Sequence, residues 1–161
     1  MSLKVIAVVL GLILVAGCSS ISVSTDFDPT ADFTQYKTYS WAPYAEGQVP
    51  GPSDKRLMTA INTEMQAKGY ELVEEQADMI LQYNAGIQDK IYVDSMRYGY
   101  AWGSTDVYQY EQGTLVLNII DHEKKEIVWV GTAKSAVDSS SPNEGKVNSA
   151  VQQMLAKFPP Q

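Results

Sequence analysis

Thr114-Leu115-Val116-Leu117-Asn118-Ile119-Ile120-Asp121, followed by the polar run His122-Glu123-Lys124-Lys125-Glu126 and then Ile127 to Ala133, decides the fold. Leu115, Leu117 and Ile119 alternate with Val116 and Ile120, so both faces of the first segment are apolar, as in a strand with neighbours on either side. A charged turn between two such segments predicts a hairpin at the heart of a sheet.

Working upstream, Met79, Leu81, Tyr83 and Ala85 alternate along a further strand, and Ile87, Asp89, Ile91 and Val93 continue with period two. A turn-rich stretch from Arg97 to Asp106 interrupts the alternation. Before it, Tyr70 to Val73 is short and strand-like, and Gly69 supplies a helix stop, because a residue without Cβ tolerates the left-handed conformation. Leu57, Ile61 and Met65, with Ala60 beside them, form the apolar stripe of that helix, with Ser53 or Asp54 as its expected N-cap. Ala42 to Pro52, rich in proline and glycine, reads as a loop. Two strands precede it: Ile21, Val23, Thr25 and Phe27 alternate with Ser22, Ser24 and Asp26, and Tyr36 to Trp41 makes the second.

Downstream of the hairpin, Ser141-Pro142-Asn143-Glu144 combines a capping serine, a proline at the first helical position and an acid three residues on. Val147, Ala150, Val151, Met154, Leu155 and Phe158 then recur at spacings of three and four, and Pro159-Pro160 ends the helix. The order is strands, helix, strands, helix. It predicts an α+β domain over residues 21–161: one largely antiparallel sheet with two helices on one face.

The first twenty residues belong to a different problem. Lys4 precedes a twelve-residue apolar run, Val5 to Ala16, which is too short for the roughly 20 residues that a membrane-spanning helix needs. The run ends in Val15-Ala16-Gly17-Cys18, which resembles a bacterial lipobox. That resemblance implies that residues 1–17 are a lipoprotein signal peptide removed before Cys18, and that Cys18 carries acyl chains. Each buried CH₂ contributes about 0.8 kcal/mol, so two or three chains on one residue anchor it durably. Ser19 stands where an aspartate would resemble an inner-membrane retention signal. The expected location is therefore the outer membrane, facing the periplasm, with residues 18–20 as lipidated terminus and short tether.

Charge and composition exclude several functions. The 161 residues carry a net charge of −7, whereas nucleic-acid binding needs a basic footprint. One Cys and one His are too few for a zinc cage or an internal disulfide. No Gly-x-Ser-x-Gly elbow, Walker sequence or Gly-x-Gly-x-x-Gly occurs. His122 lies in the charged turn, where it reads as a solvated residue without a fixed nucleophile. Glu74, Glu75 and Asp78 read as a solvated acidic turn. Asp26, Asp28 and Asp32 lack calcium-loop spacing, and Asp28 reads as the start of a turn at Pro29. We expect no metal, no cofactor and no catalytic set.

Val23-Ser24-Thr25-Asp26-Phe27-Asp28, Phe33, Tyr36-Lys37-Thr38-Tyr39 and Trp41 resemble the opening of the bacterial domain-of-unknown-function 4136 lipoproteins. Lys68-Gly69-Tyr70, Ala77-Asp78, Gly113-Thr114-Leu115, Asp121, Val128-Trp129, Gly131 and Phe158-Pro159-Pro160 match further along. Val130 replaces a more usual basic residue and Asn118 a common acidic one. The resemblance implies fold and location, and no particular activity.

Five of the ten tyrosines fall between Tyr92 and Tyr110. Tyr and Trp present large faces with a polar tip at low entropic cost, which suits contact surfaces. Tyr98, Tyr100 and Trp102 are the expected partner-binding residues, and Trp41 and Trp129 expected core. The expectation is thus a non-catalytic binding or adaptor module of the envelope, touching membrane lipid through Cys18 and an envelope protein or peptidoglycan beyond it. The alternative is an envelope hydrolase or small-ligand carrier using carboxylates of the Asp26–Asp32 region.

Overall fold

The structure, a computed structural model, describes residues 21–44, 46–47, 49–95, 105–137 and 144–160. Its elements are β1 (Ser22–Phe27), a 3-10 turn (Phe33–Gln35), β2 (Thr38–Trp41), α1 (Pro52–Ala67), β3 (Glu71–Leu72), β4 (Met79–Ser95), β5 (Thr105–Asp121), β6 (Glu126–Val137) and α2 (Glu144–Leu155). The six strands form one sheet in the order β1-β6-β5-β4-β2-β3. The expected hairpin is β5–β6, and both its strands are interior to the sheet, whose central pair is β5–β4.

The sheet is mixed rather than simply antiparallel. β1–β6, β6–β5 and β5–β4 run antiparallel, but β2 runs parallel to both β3 and β4. The cause is α1, which carries the chain from β2 back to the same end of the sheet, so the next strand must enter in the same direction.

Both helices cover one face. Leu57, Ile61 and Met65 of α1, and Val151, Met154 and Leu155 of α2, pack with Tyr39, Met79, Leu81, Leu117, Ile119 and Trp129 into one buried cluster. Trp129 is fully buried as expected, whereas Trp41 is only partly so. Gly131 lets this happen: a Cβ there would overlap the Trp129 indole and the Met154 side chain. Between the Ile119–Trp129 and Ile120–Ile127 pairs the register shifts, leaving Val128 as the extra residue of a bulge, and Val128 and Trp129 are both buried.

Local chemistry sets the element ends. Gly51, rather than Ser53 or Asp54, is the N-cap of α1. Pro52 follows it, and Asp54 turns back so that its Oδ2 accepts from the Gly51 amide at 2.8 Å. Asp54 was thus a correct start signal at the wrong position. Gly69 does end the helix region, at φ +88°. Tyr36 belongs to the end of the 3-10 turn, not to β2, because Asp32 caps that turn through the Thr34 amide. The capping run Ser141–Asn143 lies outside the described residues.

Candidate functional site

Two features stand out on this scaffold: a polar cleft at one end of the sheet, and a ribbon at the other.

The cleft, about 340 Å³, is lined by Gln35, Tyr36, Gln76, Ala77, Asp78, Asp121, His122 and Glu123. Asp121 ends β5 and is the buried charged residue of the described core, 4% exposed. Its Oδ1 accepts from the Glu123 and Lys124 amides, each at 2.9 Å, and its Oδ2 accepts from the Tyr36 hydroxyl at 2.7 Å. The Lys124 ammonium stands 4.0 Å away. Burial pushes the Asp121 carboxyl up. The Lys124 amide, Tyr36 hydroxyl, Glu123 amide and Lys124 charge together outweigh that push and hold it below its ordinary value. Burial, then the hydrogen bond and charge of Asp121, raise the Tyr36 phenol to about 12.

His122 is not the solvated turn residue that its charged neighbours suggest. It is half-buried, its amide donates to Asp78 O at 2.9 Å, and its Nδ1 lies 2.6 Å from Ala77 O. A carbonyl only accepts, so Nδ1 carries the proton. Asp78 is not a free acid either. Its Oδ2 accepts from the Lys37 and Thr38 amides, both at 2.8 Å, and from Thr38 Oγ1 at 3.0 Å, while its own amide donates to that hydroxyl. Burial raises the Asp78 carboxyl, but the Lys37 and Thr38 donors outweigh it, and its pKa lies below the ordinary value. Every acid in this cleft whose partners are resolved is therefore committed to tying β2, β4 and the β5–β6 turn together. The arrangement locks three chain segments. Neither Asp78 nor Asp121 has the raised carboxyl that proton donation needs.

The Asp26–Asp32 carboxylates are spent locally. Asp26 Oδ1 accepts from the Phe27 amide at 2.9 Å. Asp28 Oδ1 takes the Thr30 amide and hydroxyl, as its predicted turn requires, and Asp32 Oδ1 takes those of Thr34. The threonine hydroxyl first, then the amide, lowers each of the Asp28 and Asp32 carboxyls. A glycosidase general acid needs the opposite shift. Neither this cleft nor the groove between α1 and α2, lined by Arg56, Thr59, Thr63 and Glu144 among others, includes these three acids. Among the described residues no three His, Cys, Asp or Glu side chains are grouped to hold a metal.

The ribbon comes from β4 and β5. The alternation that continues past Ala85 belongs to one strand, and β4 and β5 pair without a break from Met79–Asp121 to Ser95–Thr105. β2 flanks β4 only at Met79 to Leu81, and β6 flanks β5 only from Glu111 on. Beyond those points the two strands pair, among the described residues, with each other alone, and Ile87 and Tyr110 are exposed there at 55% and 39%. Tyr98, Tyr100 and Trp102 fall in the segment joining β4 to β5 and, like Cys18, lie outside the described residues.

No curated protein matches the chain. Among solved structures, a PDZ domain protein from Parabacteroides distasonis ATCC 8503 aligns with a TM-score of 0.58 at 15% identity, over 88% of this chain and 36% of its own. The chain therefore spans little more than a third of that protein. A PelC dodecamer from Paraburkholderia phytofirmans aligns with a TM-score of 0.50 at 16% identity, over 84% of this chain and 95% of its own. Identities this low show a shared fold alone. The family model described as Domain of unknown function (DUF4136) matches residues 23–160, and with the α+β sheet just described the chain belongs to that family.

Proposed function

We propose that this protein is a non-catalytic binding module of the bacterial envelope, held on the outer membrane by acylated Cys18 and facing the periplasm. Its contact element is the β4–β5 ribbon. The observation that carries this reading is the ribbon's length beyond its flanking strands: from Lys90–Tyr110 to Ser95–Thr105 no other strand among the described residues pairs with it. Two strands alone are marginal in water, and unpaired edges are templates for pairing. A chain that keeps such an element gains from having it covered. Tyr98, Tyr100 and Trp102, in the segment that joins the two strands, are the side chains we assign to that contact.

The lipobox-like Val15–Cys18 supports the anchor. The likeness to PelC, which is a dodecamer, makes a second copy of the chain one partner to look for. Photo-crosslinking tests the reading in cells, with the reactive residue at exposed Gln88 on the ribbon or at exposed Glu126 at the other end of the sheet. Products from position 88 and few from 126 are expected. Equal yields from both positions would overturn the ribbon as contact element.

A further inference from the structure

The register fixes which end of the molecule the ribbon leaves from. Gly86 pairs with Thr114, Thr114 with Lys134, and Lys134 with Ser22, the first residue of β1. The ribbon continues past this level from Ile87 to Ser95, toward the side from which the chain enters β1. Nine residues at roughly 3.3 Å each carry it about 30 Å beyond Ser22. From Ser22 back to Cys18 there are four residue steps, which span at most about 14 Å when fully extended. The tether is thus shorter than the ribbon, and both start from the same edge of the sheet.

Resting on the anchor reading above, we infer that the ribbon lies against the lipid surface that holds Cys18, so that the membrane interface is its occupant. An upright sheet would drive the end of the ribbon past the anchor point and into the bilayer. A leaning sheet lays the ribbon along the headgroups. Ile87 pairs with Gly113 and Tyr110 with Lys90, so these two exposed side chains stand on opposite faces of the ribbon, and either face laid on the lipid offers one apolar or amphipathic contact of the kind that interfaces accept. The charged residues that the sequence places along the two strands of the ribbon are Asp89, Lys90, Asp94, Asp106 and Glu111, four acids against one lysine. The contact is therefore apolar rather than electrostatic, and it does not require anionic lipid.

The test uses the full acylated lipoprotein in phosphatidylcholine vesicles containing brominated lipid. A fluorophore is placed on Gln88→Cys or, at the opposite end, on Glu126→Cys; both positions are exposed, and acylated Cys18 cannot react. Bromine quenching several-fold stronger at 88 than at 126, unchanged by added salt, is expected. Equal quenching in a chain verified as acylated overturns this inference and leaves the anchor standing. A chain found without acyl groups overturns both. A crosslink from 88 to an envelope protein, with no quenching, gives the ribbon to that protein instead.

Discussion

The Tyr36 hydroxyl donates to Asp121 Oδ2 at 2.7 Å, joining the end of the 3-10 turn to the end of β5 across 85 residues of sequence. Both side chains are buried, so removing one leaves the other without this protein partner. Tyr36→Phe keeps the ring packed against Phe33 and deletes only the donor. A hydrogen bond to a charged group is worth about 1.5–3 kcal/mol, and a loss of that size in denaturant unfolding is expected, with the sheet intact by circular dichroism. A loss below the error of the titration would show that the Glu123 and Lys124 amides suffice for Asp121.

Acid stability follows from the two lowered carboxyls. In the unfolded chain Asp78 and Asp121 take up protons near the ordinary value of 3.8, while in the folded chain they hold off until lower pH. The unfolded state then binds more protons, so stability falls as pH drops below about 4 and on through the lowered folded values. Asp78→Asn should flatten that fall, measured as unfolding free energy at neutral pH and near pH 3. At the alkaline end the sign reverses. Tyr36 and Tyr39 are raised from 10.0 to about 12, chiefly by burial, so stability is lost between those values as the unfolded phenols ionise first.

Gly131 and Gly86 make opposite expectations from the same substitution. Ala at 131 drives a methyl into Trp129 and Met154, and overpacking of this kind costs about 1–3 kcal/mol. Ala at 86 meets nothing within 4 Å and should change stability by less than about 0.5 kcal/mol. Thermal melts of the two variants side by side check the contrast.

Asn62 accepts through one oxygen from both the Tyr39 hydroxyl and the Trp41 indole, each at 3.1 Å, and so pins α1 over β2. Asn62→Ala strips two donors at once and should cost about 1–3 kcal/mol. Tyr39→Phe in the same background should then cost little more, which a double-mutant cycle reads directly.

What could be read in advance was whatever repeats locally. The Leu57–Ile61–Met65 and Val151–Met154–Leu155 stripes declare helices because one face is buried, and Leu115 to Ile120 declares a central strand because both faces are apolar. The Tyr36–Asp121 bond was out of reach, since nothing within a few residues of either side chain marks its partner. Asp78 misled for a related reason: beside Glu74 and Glu75 it looks solvated, yet its donors come from Lys37 and Thr38, 41 and 40 residues upstream. The parallel placement of β2 was hidden in the same way, being fixed by where α1 returns the chain and not by the composition of β2. Continuity of β4 through Gly86 was legible, because Ile87, Asp89, Ile91 and Val93 carry on the period-two alternation of Met79 to Ala85.

The anchor is the premise on which the assigned location and the ribbon's role both stand, and the intact mass of the protein extracted from envelopes in detergent tests it most directly. The expected chain begins at Cys18 and carries the added mass of a diacylglycerol, with a further acyl group on the new amine. A chain that retains residues 1–17, or one that begins elsewhere with an unmodified thiol, would contradict a lipid-anchored module.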